Sequence, residues 1–138
     1  MKSIKVNNQA LIGLMIEHLN QDQEVSFKIQ GHSMMPFFKH QKTIVTLKKE
    51  ASYHKFDVVL FLYQDSYILH RIIKIEDDTY YLRGDGSYRI EKVTKEQIYG
   101  KVIHHETNGK STKNYERKVK VWLFFTPIRK LLLKFVRK

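Results

Sequence analysis

The sequence predicts a mainly β protein, a coiled antiparallel sheet or barrel with an N-terminal helix and a basic amphipathic C-terminal helix. About six short segments rich in β-branched and aromatic residues follow one another between residues 24 and 104. Tight polar turns separate these segments, which is typical of antiparallel sheets and barrels. A length of 138 residues with 42% hydrophobic content suits one domain with its own core.

The first predicted element is a helix over residues 9–20. Asn7 and Asn8 are suitable N-caps, because asparagine side chains accept hydrogen bonds from the free N–H groups of a first helical turn. Leu11, Leu14 and Met15 then recur at helical spacing. The segment therefore has the pattern of an amphipathic helix.

The strands follow from two apolar patterns. Val25, Phe27 and Ile29 alternate with polar residues, as in a strand with one buried face. Residues 56–63 form a nearly continuous apolar run, which indicates a fully buried strand. The predicted strands cover residues 24–30, 42–47, 56–63, 67–75, 79–82 and 98–104, with turns at residues 64–66, 77–78 and 84–87.

The positive charge of the chain is concentrated near the C-terminus. The chain has 25 Lys and Arg against 14 Asp and Glu, a formal net charge of +11. Ten of these basic residues follow residue 109, with Glu116 as the single acid among them. Such a charge favours an anionic membrane surface or a nucleic acid as partner. We therefore divide the chain into a domain of residues 1–106 and a basic amphipathic segment of residues 107–138.

The pattern of the C-terminal segment predicts an amphipathic helix that begins at Thr126 and Pro127. Thr126 is suited to be the N-cap, and proline is favoured at the first helical position. Such a helix fits a membrane interface, and equally a position packed on the domain. Nucleic acid is the least favoured partner, because the aromatic residues lie among apolar neighbours. The residues expected to contact an anionic membrane are Trp122, Phe124, Phe125, Leu131, Leu132 and Phe135.

The composition excludes several kinds of site. The chain has no cysteine, which excludes disulfides, thiolate metal sites and cysteine nucleophiles. His104 and His105 are neighbours on a predicted strand and face opposite ways, so no metal site and no cofactor is expected.

No signal peptide is evident, and no apolar run reaches the roughly 18–20 residues that span a bilayer. We expect a cytoplasmic protein, with the tail as a means of peripheral contact with the inner face of the membrane.

Three segments carry the parts of a serine hydrolase. Ser33 lies in a Gly-His-Ser-Met-Met-Pro turn at residues 31–36, His70 lies on a predicted strand, and Asp85 lies in a Gly-Asp-Gly turn. A serine hydroxyl needs a base within hydrogen-bond reach, a donor for the oxyanion and a group that orients the base. Each residue taken singly more often has a structural role. The motifs around the three residues must therefore show whether their role is catalytic or structural.

Four motifs follow one another in the chain: Ser-Met-x-Pro from residue 33, Asp-Val-Val-Leu-Phe from residue 57, His-Arg-Ile-Ile from residue 70 and Gly-Asp from residue 84. Their order and spacing resemble the type I signal peptidase family, whose clan also includes the self-cleaving repressor proteases. The resemblance covers residues 25–102 and implies a coiled sheet of the signal-peptidase type. His70 stands immediately before Arg71, where bacterial signal peptidases have lysine, and in this the chain resembles the Ser-His branch. With no membrane anchor and no DNA-binding domain evident, the chain resembles small stand-alone bacterial members.

The resemblance implies a serine peptidase that hydrolyses a peptide bond in a leader or an extended segment of a peptide or protein substrate. It implies Ser33 as the nucleophile, His70 as the general base and Asp85 as the orienting acid. Glu91 is the nearest candidate for a second acid. The residues expected to form the oxyanion-binding and substrate-binding turn are Gly31, Met34 and Pro36.

Two alternatives remain open, and both are binding functions. Gly86 follows the Gly-Asp motif where the family usually has asparagine, and no transmembrane anchor is evident, so an inactive member that binds a peptide or a membrane is one alternative. The other is a basic module that binds nucleic acid through its tail, with steep salt dependence. Arg71 is expected to be structural, either pairing with an acid or packing its aliphatic stem.

Overall fold

The computed structural model describes residues 9–111 and 115–124. In this part of the chain, two α-helices accompany seven antiparallel strands of one sheet, which confirms the mainly β fold class. The elements are α1 (Gln9–Asn20), β1 (Val25–Lys28), β2 (Thr43–Lys48), β3 (Val58–Tyr63), β4 (Ser66–Glu76), β5 (Thr79–Arg83), β6 (Glu91–Thr94), a 3-10 helix (Lys95–Gln97), β7 (Ile98–Thr107) and α2 (Tyr115–Phe124).

The sheet has the strand order β1-β2-β7-β3-β4-β5-β6, and each neighbouring pair is antiparallel. The β2–β7, β3–β7 and β4–β5 pairs each contain a register shift. Such irregularities increase the local twist and coil the sheet. Within the described residues β1 and β6 are the two edge strands and do not pair with each other. The sheet is therefore open, and the predicted alternative of a closed barrel is not observed.

The helix α1 has the predicted bounds, and the six predicted strands lie within three residues of observed ones. Three elements were not predicted, namely the strand β6, the 3-10 helix that follows it and the helix α2. The strand β6 has four residues, of which Val93 alone is apolar, so it shows no alternating pattern. The helix α2 precedes the predicted start at Thr126 and Pro127, which lie outside the described residues.

The central strand β3 is buried on both faces, which explains its continuous apolar run. Val58 and Leu60 belong to one apolar cluster, and Val59 and Phe61 belong to another. Successive side chains of a strand point to opposite faces, so the two clusters lie on the two sides of the sheet. The first cluster also contains Phe38. The turn that precedes β2 is thereby anchored in the core.

The helix α2 packs on the domain through one face. Val119 is 2% exposed, and the Tyr115 ring lies 4.2 Å from the His105 ring between centroids. The opposite side of the helix is open to solvent, since Val121 is 51% exposed. The helix α2 therefore packs on the domain, while the predicted helix from Thr126, to which the two expectations applied, lies outside the described residues.

The residues expected at a membrane have different environments. The Trp122 ring is partly buried and lies edge-on against Phe37, with centroids 6.4 Å apart. Phe124 is 79% exposed. No helix among the described residues is long and apolar enough to cross a bilayer. The remaining four, Phe125, Leu131, Leu132 and Phe135, lie outside the described residues.

Candidate active site

The turn that carries Ser33 is held by its own backbone. The N–H group of Met35 donates to the His32 carbonyl at 3.1 Å, and that of Phe38 donates to the Met34 carbonyl at 3.0 Å. In the described part of the chain, the N–H groups of Ser33 and Met34 donate to no protein acceptor. Two uncommitted donors beside a serine side chain are what an oxyanion requires.

The other predicted turn residues shape this segment. Gly31 has a φ of 99°, a conformation that glycine adopts without strain, and its N–H group donates to His40 Nδ1 at 2.7 Å. Pro36 is partly buried within the turn. The Met34 side chain is 2% exposed, and its sulfur accepts a weak hydrogen bond from the Asp85 N–H group at 3.4 Å. The turn is thus tied to the segment that carries the Gly-Asp motif.

The imidazole of His70 borders the Ser33 turn at Gly84. A methyl group built on Gly84 would lie 2.3 Å from the Ser33 carbonyl oxygen and 2.8 Å from His70 Nε2. The side chains of Ser33 and His70 are both nearly buried, at 7% and 5% exposure. His70 Nε2 has no hydrogen-bond partner among the described residues, Ser33 Oγ included. A buried nitrogen without a partner is uncommon and marks a site where a further group can bind.

The acid that holds His70 is Glu91. Its Oε1 lies 2.7 Å from His70 Nδ1, and its side chain is 1% exposed. Because a carboxylate only accepts hydrogen bonds, Nδ1 carries the proton of this contact, and in the neutral imidazole the lone pair is then on Nε2. The register explains the contact, since Glu91 pairs with Leu82 and Leu82 pairs with Ile72. Ile72 lies on the same face of β4 as His70.

The expectation that Asp85 holds the imidazole is wrong, because the Asp85 carboxylate pairs with Arg71. Arg71 Nε and Nη2 donate to the two carboxylate oxygens at 2.8 and 2.7 Å. Both side chains are 1% exposed. Neighbouring residues of a strand face opposite ways, so the acid that meets Arg71 is kept from His70. The structural assignment of Arg71 is confirmed.

The Arg71 guanidinium keeps its charge in this buried position. Burial alone would lower the pKa of Arg71, but the adjoining Asp85 carboxylate raises it above its ordinary value. Burial raises the pKa of Tyr115, against the opposing effect of Arg71, so the phenol stays protonated. A buried ion pair with good geometry tolerates the loss of either partner poorly. The pair therefore acts as a rigid support behind the site.

The helix α2 packs on the Arg71–Asp85 ion pair. Arg71 Nη2 donates to the Tyr115 hydroxyl at 2.7 Å, and Trp122 Nε1 donates to the Asp85 carbonyl at 2.8 Å. These contacts were not predicted, because α2 itself was not. A signal was present, since Tyr115, Val119 and Trp122 have the i, i+4, i+7 spacing of a helix face.

Two cavities of different size adjoin these residues. The larger one, of about 540 Å³, lies between α2 and the sheet beside Arg71, and neither Ser33 nor His70 lines it. No group of side chains in the described ranges is suited to a metal ion. The cavity beside Ser33 is narrow, about 10 Å³, and is lined by Phe27, Ile29, Gln30, Gly31, Met34 and Leu69.

The close approach at Gly84 gives a testable prediction. We expect Gly84→Ala to lower the free energy of unfolding by about 1–3 kcal/mol, because the new methyl would overlap the Ser33 backbone carbonyl. Gly13→Ala in α1 is the matched control, since nothing lies within 4 Å of its methyl. This control should be stabilising by roughly 0.5–1 kcal/mol. Urea unfolding measures both, and equal midpoints for Gly84→Ala and the parent chain would contradict the packing described.

Comparison with known proteins places most of the chain in one family. Comparison with curated protein sequences found no significant match. The family model described as Peptidase S24-like matches residues 3–103, a range that holds Ser33, His70, Asp85 and Glu91. This family lies in the clan of the signal peptidases and self-cleaving repressor proteases, to which the motifs pointed. The chain therefore belongs to the Peptidase S24-like family.

Proposed function

We propose that the chain is a serine peptidase in which Ser33 is the nucleophile and His70 is the general base. The observation that carries the proposal is the buried imidazole, whose Nδ1 is held by Glu91 at 2.7 Å and whose unpartnered Nε2 borders the Ser33 turn. Membership of a serine peptidase family supports it. Apo sites often show loose nucleophile–base geometry that tightens with substrate, which accommodates the absent Ser33–His70 hydrogen bond.

In the proposed reaction, Ser33 Oγ attacks the peptide carbonyl carbon while its proton passes to His70 Nε2. The negative charge on the carbonyl oxygen is stabilised by the free N–H groups of Ser33 and Met34. The Glu91 carboxylate stabilises the imidazolium, which then gives its proton to the leaving amine as the C–N bond breaks. Water, deprotonated by the same imidazole, hydrolyses the acyl-enzyme and restores Ser33.

The proposed substrate is an extended peptide that pairs with the free edge of β1. In the described part of the chain β1 pairs with β2 alone, so its other edge has unpaired backbone groups that an extended segment can bind. Phe27 on β1 and Ile29 just beyond it line the narrow cavity beside Ser33. Because this cavity measures about 10 Å³, it favours a small side chain next to the scissile bond.

The test is covalent labelling with an alkyl fluorophosphonate, which transfers phosphorus to a reactive serine oxygen and releases fluoride. We expect one label per chain, located at Ser33 by mass spectrometry of the digested protein. Ser33→Ala should take no label, while Ser52→Ala, which removes an exposed serine, should react like the parent chain. An unlabelled chain that still binds an extended peptide would contradict catalysis and support the inactive binding module.

A further inference from the structure

We infer that Tyr115 and Trp122 of α2 are positioning residues of the site, which hold the turn at residues 84–86 against Ser33 and His70. The inference rests on the proposed function. It goes beyond the family, because α2 follows the matched residues 3–103. The helix α2 would thus contribute to the geometry of the peptidase active site.

The helix contacts both members of the buried ion pair. Trp122 Nε1 donates to the Asp85 carbonyl at 2.8 Å, and the Tyr115 hydroxyl accepts from Arg71 Nη2 at 2.7 Å. Arg71 in turn holds the Asp85 carboxylate by two hydrogen bonds. The backbone and the side chain of Asp85 are therefore both fixed from the side of α2.

The residues on either side of Asp85 contact the Ser33 turn. The Gly86 N–H group donates to the Ser33 carbonyl at 2.8 Å. Gly84 lies so close that an added methyl would be 2.3 Å from that same oxygen. The placement of Ser33 relative to His70 therefore depends on the placement of Asp85, and misplacement by about 1 Å can slow catalysis by roughly 100-fold.

The rings of α2 also contact the Ser33 turn directly. The Tyr115 ring stacks on Phe38 with centroids 6.2 Å apart, and the Trp122 ring meets Phe37 edge-on at 6.4 Å. Phe37 and Phe38 follow Ser33 in the same turn. The helix thus holds both segments that meet at Gly84, which makes its two polar contacts suitable for setting the distance between them.

The test measures labelling of Ser33 by the fluorophosphonate in full-length Tyr115→Phe, Trp122→Phe and the double variant. Tyr115→Phe removes only the hydroxyl, whereas Trp122→Phe removes the indole N–H with two ring carbons and keeps a phenyl ring. We expect each to lower the maximal rate constant of labelling about three- to tenfold, with the double variant slower still. The probe's binding constant should change by less than about twofold, because α2 is absent from the cavity beside Ser33. Val121→Ala, on the exposed side of α2, should match the parent chain.

Hydrogen exchange gives a second readout that does not need activity. The double variant should exchange the Gly86 amide at least about fivefold faster, while the Ile29 amide, which donates to Thr43 at 2.8 Å, keeps its rate. The inference would be overturned if the double variant were labelled at the parent rate and also exchanged its Gly86 amide at the parent rate. It would be overturned equally if the exchange of the Gly86 and Ile29 amides were accelerated by the same factor. If the parent chain takes no label, the proposed function fails, and Gly86 exchange alone decides whether α2 holds the turn.

Discussion

Glu91→Gln is expected to slow the reaction of Ser33 with an electrophile by up to about 10⁴-fold, the loss seen when the acid of a catalytic triad becomes an amide. The amide can turn its NH₂ group toward His70 Nδ1, which then becomes an acceptor and moves the imidazole proton to Nε2. In that tautomer the nitrogen beside Ser33 has no lone pair to take the serine proton. The charge that stabilises the imidazolium is also lost.

The rate of fluorophosphonate labelling at saturating probe measures this effect. Glu76→Gln is the matched control, because Glu76 is an exposed acid of β4 whose nearest cation, Lys74, lies 3.5 Å away. Its labelling rate should equal that of the parent chain. Asp85→Asn provides the opposing case: if folded Glu91→Gln is labelled like the parent chain while folded Asp85→Asn is not, Glu91 is not the acid that orients His70.

The two acids show where sequence reasoning ends. The motifs around Ser33 and His70 are local, and local signals suffice to select these residues. Which acid meets the imidazole depends on the register of β4, β5 and β6, and β6 is too short to show a pattern. One physical rule was available, since His70 and Arg71 are strand neighbours that face opposite ways. A single carboxylate could therefore not contact both side chains, so His70 and Arg71 each required an acid of its own.

The C-terminal segment shows a different difficulty. Its basic charge and aromatic residues fit a membrane interface and a packed helix equally well, because both need an apolar face beside cations. The packing of α2 depends on partners elsewhere in the chain, the Arg71 guanidinium and the Asp85 carbonyl, which no pattern within residues 115–124 reveals. The six predicted strands could be recognised because an alternating pattern or an apolar run is a property of each strand alone.

Asp85→Asn is expected to lower the free energy of unfolding by about 3–5 kcal/mol, the usual cost of removing one partner of a buried ion pair. Arg71 is 1% exposed, so its charge would remain in the interior without a counter-ion. The neutral amide cannot accept the two charge-assisted hydrogen bonds that Arg71 now donates at 2.8 and 2.7 Å.

Urea unfolding followed by Trp122 fluorescence measures this loss, since the indole donates its hydrogen bond to the Asp85 carbonyl. Glu76→Gln is again the control, because it breaks an ion pair whose two side chains are 58% exposed, and exposed pairs contribute about 0–1 kcal/mol. If Asp85→Asn and Glu76→Gln unfold at the same urea concentration, the Arg71–Asp85 pair is not the support that the structure indicates. A large loss of stability here, with a large loss of reactivity in Glu91→Gln, would assign folding to one acid and catalysis to the other.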